Sequence, residues 1–336
     1  MIDWTKGIVA RNYATIVDPN TWRDESSFDI IGGSINYTNT GIRGSADIDC
    51  REFNHESEYW VRLYLEASQN GESELIPLFT GLASSPGISY NGRIQESKVQ
   101  CFSVLSPAEK VYLPLGWFLR AGTNGAIGIK DLLKDVIPAP VIIDGASSSI
   151  TQNIVAENDE TVLTMVDKIL TAINWTIYLS GNGEVHISPF ITDTVESFGY
   201  ATNDVLEMSV SIANNWADIP NVFRAVGSGI ASIAKDENPK SMFSIQNRGR
   251  EIWAQETNCV LNDGEKISDY ATRRLKELQK VSKTIDYTRR FMPNIHVNNR
   301  VWLNYPEQNI SGPYIIESQT INIGYGSNVS EKVVSC

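Results

Sequence analysis

The last stretch of the chain, residues 312–336 (GPYIIESQTINIGYGSNVSEKVVSC), echoes an earlier one. Laid without gaps over residues 77–101, it sets Ile323 on Ile88, Tyr325 on Tyr90, Val329 on Ile94, Glu331 on Glu96, Val334 on Val99 and Cys336 on Cys101. In each copy a Gly and Asn cluster, Asn91-Gly92 in one and Gly326 to Asn328 in the other, separates two alternating arms. That is the signature of two antiparallel strands and a turn. Period-two burial makes any two amphipathic hairpins agree at every other position, so duplication and generic alternation are both open. Duplication makes the larger demand: one β module used twice, with something else between the copies.

A chain of 336 residues has room for two or three domains. Its hydrophobic content of 42% and charged content of 20% are those of an ordinary globular protein. No apolar run reaches the ~18 residues that cross a bilayer, and the start, MIDWTKGIVARNY, lacks a signal peptide's apolar block, so export by the general pathway is not expected. Cys50, Cys101, Cys259 and Cys336 stand far apart without a CxxC pair, which reads as reduced, partly buried thiols.

The net charge of -12 argues against grip on nucleic acid through phosphates. Asp and Glu against Lys and Arg number 14 to 8 over residues 1–107, 11 to 5 over 108–198 and 15 to 15 over 199–336. The first two thirds would repel DNA.

Residues 1–107 read as nearly all β, with runs at 28–37, 44–50, 59–67, 74–80 and 93–104 between Gly, Asn, Pro and Ser clusters, a spacing that suggests a barrel or sandwich. After Pro107 the period changes. Residues 128–137 carry a helical stripe stopped by Pro138, and 159–174 place Val162, Leu163, Val166, Ile169, Leu170 and Ile173 on one face, with acids in the first turn. Strand-like WTIYLS and EVHISPF follow around Gly181-Asn182-Gly183, making 108–198 an α/β insert. Residues 199–336 return to β, at 205–212, 221–227, 241–246, 251–255, 283–291, 300–305 and the closing hairpin. A polar bend at Asn214, Asn215 and Pro220 interrupts them, as does a helix at about 265–282, read as a plug on a barrel end.

Catalytic or metal chemistry needs clustered groups. His55, His186 and His296 are scattered in sequence, and there is no G-x-S-x-G elbow or Walker loop. Asp47 and Asp49 share one strand face and Asp29 lies on another strand; two carboxylates at the right separation could hydrolyse a glycoside, but with 40 acidic residues some pair always falls close, and a solvated face or acidic channel lining is the preferred reading. The eight Trp residues are spread through the chain, not set as a sugar platform. No catalytic, cofactor or metal residue is assigned.

The order of parts, β module, α/β insert, second β module with one helix, resembles the baseplate hub proteins of contractile phage tails: the Mu-type tail hubs, the late control protein D family and the hub part of type VI secretion spikes. The residues that carry the resemblance are 161–190, 219–227, 241–249 with 251–256, and 267–278. It implies a mainly β fold in which two related tube-type antiparallel β-barrel domains, 1–107 and 199–336, flank a small α/β domain, 108–198. It further implies a homotrimer whose pseudo-hexameric ring adapts the sixfold tail tube to the threefold central spike, without enzymatic activity or cofactor. The expected partners are the tail tube protein, the central spike protein, and tape measure and baseplate wedge proteins. DNA would pass without specific binding, and no stable membrane insertion is expected. The expected location is the baseplate of a virion or phage-tail-like particle, including bacteriocins, assembled in the bacterial cytoplasm. Relatives that append a peptidoglycan hydrolase or needle are expected to differ here, since this sequence closes on a strand.

Strands around Ile35, Asp47, Asp49, Val210, Val222 and Arg224 are expected to line the tube or join subunits. Two other readings compete: a carbohydrate-binding receptor protein at the tail tip, and a β-rich glycoside hydrolase using acids such as Asp47 and Asp49.

Overall fold

The structure is a computed structural model that describes residues 2–50, 57–91, 94–147, 149–190, 193–199, 205–213, 216–227, 229–257, 259, 261, 265–279, 284–324 and 328–335. His55, Gly92, Asn214, Asn215, Tyr325, Gly326 and Cys336, named above, lie outside the described residues, as do positions 280–282 of the helix expected at about 265–282. The chain is mostly β and separates into two compact units, Met1–Ser211 with Ile285–Cys336, and Ile212–Thr284.

The first unit opens with β1 (Val9–Val17), β2 (Asp24–Thr38), β3 (Gly44–Cys50), β4 (Tyr59–Gln69), β5 (Glu72–Asn91) and β6 (Ile94–Ser103). They pair in the order β1-β4-β5-β6-β3-β2, and β1 also pairs antiparallel with β2, so the path returns on itself. Alternation decides what fills it. Ala46, Ile48 and Cys50 of β3, Leu63 and Leu65 of β4, Phe79 of β5 and Val99 and Cys101 of β6 share one buried core with Ile35. Each large apolar side chain withdrawn from water there contributes roughly 1.5–3 kcal/mol.

An α/β segment follows: α1 (Ser106–Lys110), β7 (Phe118–Leu119), α2 (Gly125–Leu133), β8 (Val141–Ile143), β9 (Ile154–Val155), α3 (Val162–Ile173), β10 (Trp175–Leu179) and β11 (Val185–Pro189). The helix expected over 159–174 starts at Val162, because Thr161 caps it with a reciprocal bond pattern to Thr164. Asp159 and Glu160 therefore precede the helix instead of occupying its first turn, and Glu160 pairs with Lys168 at 2.8 Å. Asn174 ends α3 in the left-handed conformation and turns the chain into β10. The apolar stripe of α3 shares a core with α2, with β10 and β11, and with Val17 and Trp60 of the first module.

Next come β12 (Thr194–Gly199) and β13 (Val205–Ala213); the second unit contributes β14 (Val222–Gly227), β15 (Ile230–Lys235), α4 (Ile245–Arg248), β16 (Trp253–Thr257) and α5 (Ile267–Leu278). The strand expected at 241–246 is not one. Ser244 accepts from the Asn247 amide and starts the short helix α4. The helix expected at about 265–282 spans Ile267–Leu278, and its buried Tyr270, Ala271 and Leu275 pack with Phe223 and Ala225 of the three-stranded sheet β15-β14-β16.

The chain closes in the first unit with β17 (Thr284–Arg290), β18 (Arg300–Tyr305), β19 (Ile310–Ile323) and β20 (Asn328–Ser335). These pair along β12-β18-β19-β20-β17-β13. Matched strand for strand, this is the β1-β4-β5-β6-β3-β2 path again. β12 differs in running parallel to β18, whereas β1 and β4 are antiparallel. Among the described residues the second path is open between β12 and β13, and β19 joins the modules by pairing its second half with Gly33–Thr38 of β2.

The two echoing stretches are both hairpins, but their gapless correspondence is inside out. Glu96 is exposed opposite Ser89, whereas Glu331 is buried opposite Gln319, not opposite the Gly324 that the alignment requires. The buried phase of β6 is Ser97, Val99 and Cys101, and that of β20 is Val329, Glu331 and Val333. Both sets are odd-numbered, so the odd offset between the stretches exchanges the faces.

Candidate functional site

The residues singled out from sequence fall into three settings. Ile35 and Val222 are fully buried, so their side chains are core and face neither a lumen nor a neighbour. Asp47 and Asp49 point outward from β3, whose alternate residues Ala46, Ile48 and Cys50 fill the core; Asp47 stands opposite Ser34 and Gln100, and Asp49 lies 3.9 Å from Lys98. With that core packed, any channel bounded by Asp47 lies outside this ring of strands. Arg224 is exposed on β14 of the second unit. Val210 lies on β13.

The Gly181-Asn182-Gly183 turn between β10 and β11 is built into the first module. Thr80 donates to the Gly181 carbonyl at 2.7 Å, and the Trp22 indole and the Arg62 guanidinium donate to the Asn182 carbonyl at 2.9 and 3.1 Å. Arg62 is 6% exposed and bonds Asp24 at 2.8 Å, so its charge is paired where water is scarce. A Cβ on Gly181 would lie 1.9 Å from the Pro77 carbonyl oxygen, and Gly183 has φ +80° with a Cβ position 2.7 Å from Thr80. Only glycine fits this approach.

Beside this turn the fold collects groups that sequence distance had hidden. The His186 ring stacks on Tyr178 at 4.5 Å, and His296 lies at 6.0 Å from the same ring, nearly parallel. His186 Nδ1 meets Asp144 at 2.8 Å. His296 also lines a cavity of about 50 Å³ together with Tyr178, Tyr37, Arg43 and Gln319. That volume is far below the ~300 Å³ of a small-molecule site. Burial, and then the charge of Arg289, hold His296 below its ordinary pKa.

Deeper still, Arg289 and Glu331 form an ion pair with Tyr287 and Gln319 as further partners. The signal for it was present: Ile285, Tyr287 and Arg289 on β17, and Val329, Glu331 and Val333 on β20, each put a charge in the apolar phase of a strand. Two buried charges meeting across strands are structural unless a substrate reaches them, and the lining just described admits none. Among the described residues, no group of three or more His, Cys, Asp or Glu could hold a metal ion, and no helix is long and apolar enough to cross a membrane.

What remains as candidate working surface is outward-facing: the Asp47 face of β3 and the uncovered side of β15-β14-β16, where Trp253 and Ile233 are each 51% exposed. These are exposed strand faces, not pockets.

No protein-family model matches the sequence, and no curated protein matches it. Solved structures do. A tail protein from Neisseria meningitidis superposes with a TM-score of 0.69 at 11% identity, covering 97% of this chain and 96% of that one. The 43 kDa tail protein of prophage MuSo2 from Shewanella oneidensis gives 0.71 at 12% identity over 97% of each chain. A prophage tail protein from Listeria monocytogenes gives 0.54 at 11% identity, covering 96% of this chain and 94% of that one. The chain thus has the fold of phage tail proteins over nearly its whole length.

Proposed function

We propose that this chain is a structural hub in the baseplate of a contractile phage tail or tail-like particle. Three copies form a pseudo-hexameric ring that adapts the sixfold tail tube to the threefold central spike. The observation that carries the reading is the repeated strand path, β1-β4-β5-β6-β3-β2 and β12-β18-β19-β20-β17-β13. Three chains with two like modules present six like units, which is what a threefold object needs to mate with a sixfold one. The shared fold with tail proteins supports the same setting.

In this reading residues 1–107 and 199–336 supply the two tube-type barrels, 108–198 is the α/β domain between them, and 212–284 is an elaboration of the second. The β13 strand around Val210 and the outward sides of β2 and β3 line the tube or join subunits. The tail tube and central spike are the direct partners, with tape measure and wedge proteins nearby, and DNA passes without specific binding. The role is mechanical, not enzymatic, and is exercised in the assembled particle after assembly in the bacterial cytoplasm.

Light scattering on the purified chain, followed by negative-stain images of the same fraction, tests this. A mass near three chains and a ring with a central hole are expected. A monomer without rings well above micromolar concentration, even with the tail tube protein added, would overturn it.

A further inference from the structure

Charge is segregated between the two compact units. Residues 212–284 carry 11 Lys and Arg against 9 Asp and Glu, whereas the rest of the chain carries 17 against 31. The smaller unit is therefore net positive by two on a chain that is otherwise negative by fourteen.

The β15-β14-β16 sheet of that unit has one face covered by α5 and another that is exposed around Arg224. Phe223, Ala225, Ala234 and Ala254 turn toward α5. On the other face Arg224 stands exposed between Ile233 and Gln255, while Val222, at the start of β14 between Lys235 and Trp253, is fully buried. Ile233 and Trp253 are half exposed. Lys235 is already committed to Glu251 at 2.7 Å, with its ammonium 6.0 Å from the Trp253 ring. Arg224 is exposed and, among the described residues, has neither a hydrogen bond nor an ion pair. A guanidinium beside exposed Ile233, with exposed Trp253 two residues along β16 from its partner Gln255, is the composition of an interface centre. Glu251 is taken by Lys235 and the Trp253 indole, so the Arg224 guanidinium is left without a carboxylate among the described residues.

This chain supplies one of matching shape. On the outward face of β3, Asp49 has Lys98 nearby, but Asp47 is exposed and has no ion pair among the described residues. Its neighbours across the ladders, Ser34 and Gln100, are uncharged, so a second sheet can lie flat against it.

We infer that the uncovered face of β15-β14-β16 docks on the outward face of β3 of a second copy of this chain, with Arg224 paired to Asp47. The inference rests on the homotrimeric reading above and deepens it by naming the surfaces. Two different patches on identical chains make a heterologous contact, which closes into a ring when the rotation permits.

The test is sedimentation velocity on the full-length chain, comparing wild type, Arg224→Asp, Asp47→Arg and the double variant, with far-UV circular dichroism to show that each is folded. Both positions are exposed, so folding should be preserved. Each single reversal should weaken association by about tenfold or more, and the double variant should recover it. Wild type that assembles while both single variants assemble equally well would overturn this interface and leave the hub reading standing. Loss in both singles without recovery in the double would overturn the Arg224–Asp47 pairing. A wild-type monomer at every concentration, with the tail tube protein added as well, would overturn the homotrimer and this contact together.

Discussion

Arg289 and Glu331 meet at 2.5 Å on β17 and β20, with both side chains at 0% exposure. The guanidinium donates further to the Arg290 carbonyl at 2.7 Å and lies 5.7 Å from the Phe198 ring. The carboxylate accepts from the Tyr287 hydroxyl at 2.5 Å and from the Gln319 amide at 2.8 Å. Burial, with the Glu331 charge added, pushes the Tyr287 hydroxyl well above its ordinary pKa. The second β module is thus organised around a buried charge pair, where the first has an apolar centre.

Removing one partner strands the other. Glu331→Gln should destabilise the protein by about 3–5 kcal/mol, because an unpaired guanidinium would remain in the core. Replacing both, as Arg289→Met with Glu331→Leu, should cost far less, since both desolvation penalties vanish together. Denaturant unfolding of the two variants separates these outcomes. Equal losses would mean that the pair itself, and not the orphaned charge, carries the stability.

The glycine turn gives a second measurable consequence. Gly181→Ala would set a methyl group 1.9 Å from the Pro77 carbonyl oxygen, against backbone that cannot yield. The turn would have to lift off Thr80, Arg62 and Trp22, losing three hydrogen bonds to its carbonyls. A loss of about 3 kcal/mol or more is expected, with faster amide exchange concentrated in β10 and β11. An unchanged melting temperature would show that the turn is not held as described.

Acid should loosen the same region through His296. Its folded pKa lies below its ordinary value of 6.5, from burial first and Arg289 second. Above pH 6.5 both folded and unfolded histidine are neutral and the group contributes no pH dependence. As pH falls below that value the unfolded chain takes a proton that the folded chain refuses, so stability declines toward the lower folded pKa. The comparison is unfolding free energy between pH 7.5 and 5 for wild type and His296→Gln. The variant should show the shallower loss.

How far the sequence disclosed this structure depends on whether the signal was local. The closing hairpin, the α3 stripe and the Gly-Asn-Gly turn are short-range patterns, and each is where the pattern placed it. The duplication is real at the level of strand order, yet the residue match that suggested it joins an exposed Glu96 to a buried Glu331. Alternation fixes which positions agree without fixing which face they occupy. The compact unit at 212–284 went unseen because β14 and β16 are parallel neighbours joined through β15 and α4, a connection that local pattern does not report. Arg224 and Asp47 were legible as polar strand positions, whereas Ile35 and Val222 are apolar positions that the fold buries completely.

The cysteines can report whether the two units open independently. Burial pushes the Cys50 thiol up to about 11 and Cys101 higher still, and it raises Cys259 as well. All three are buried, so a thiol reagent at pH 8 meets neither exposed sulfur nor much thiolate until the surrounding structure opens. Cys50 and Cys101 belong to the larger unit and Cys259 to the smaller, whose core has fewer buried apolar side chains. Separate cooperative units open with separate free energies. Pulsed alkylation of the native protein, read by peptide mass spectrometry, should therefore label Cys259 first, with Cys50 and Cys101 following together and more slowly. In rising urea the Cys259 rate should climb at lower concentration than theirs. Identical rates for all three thiols would mean that residues 212–284 unfold only with the rest of the chain.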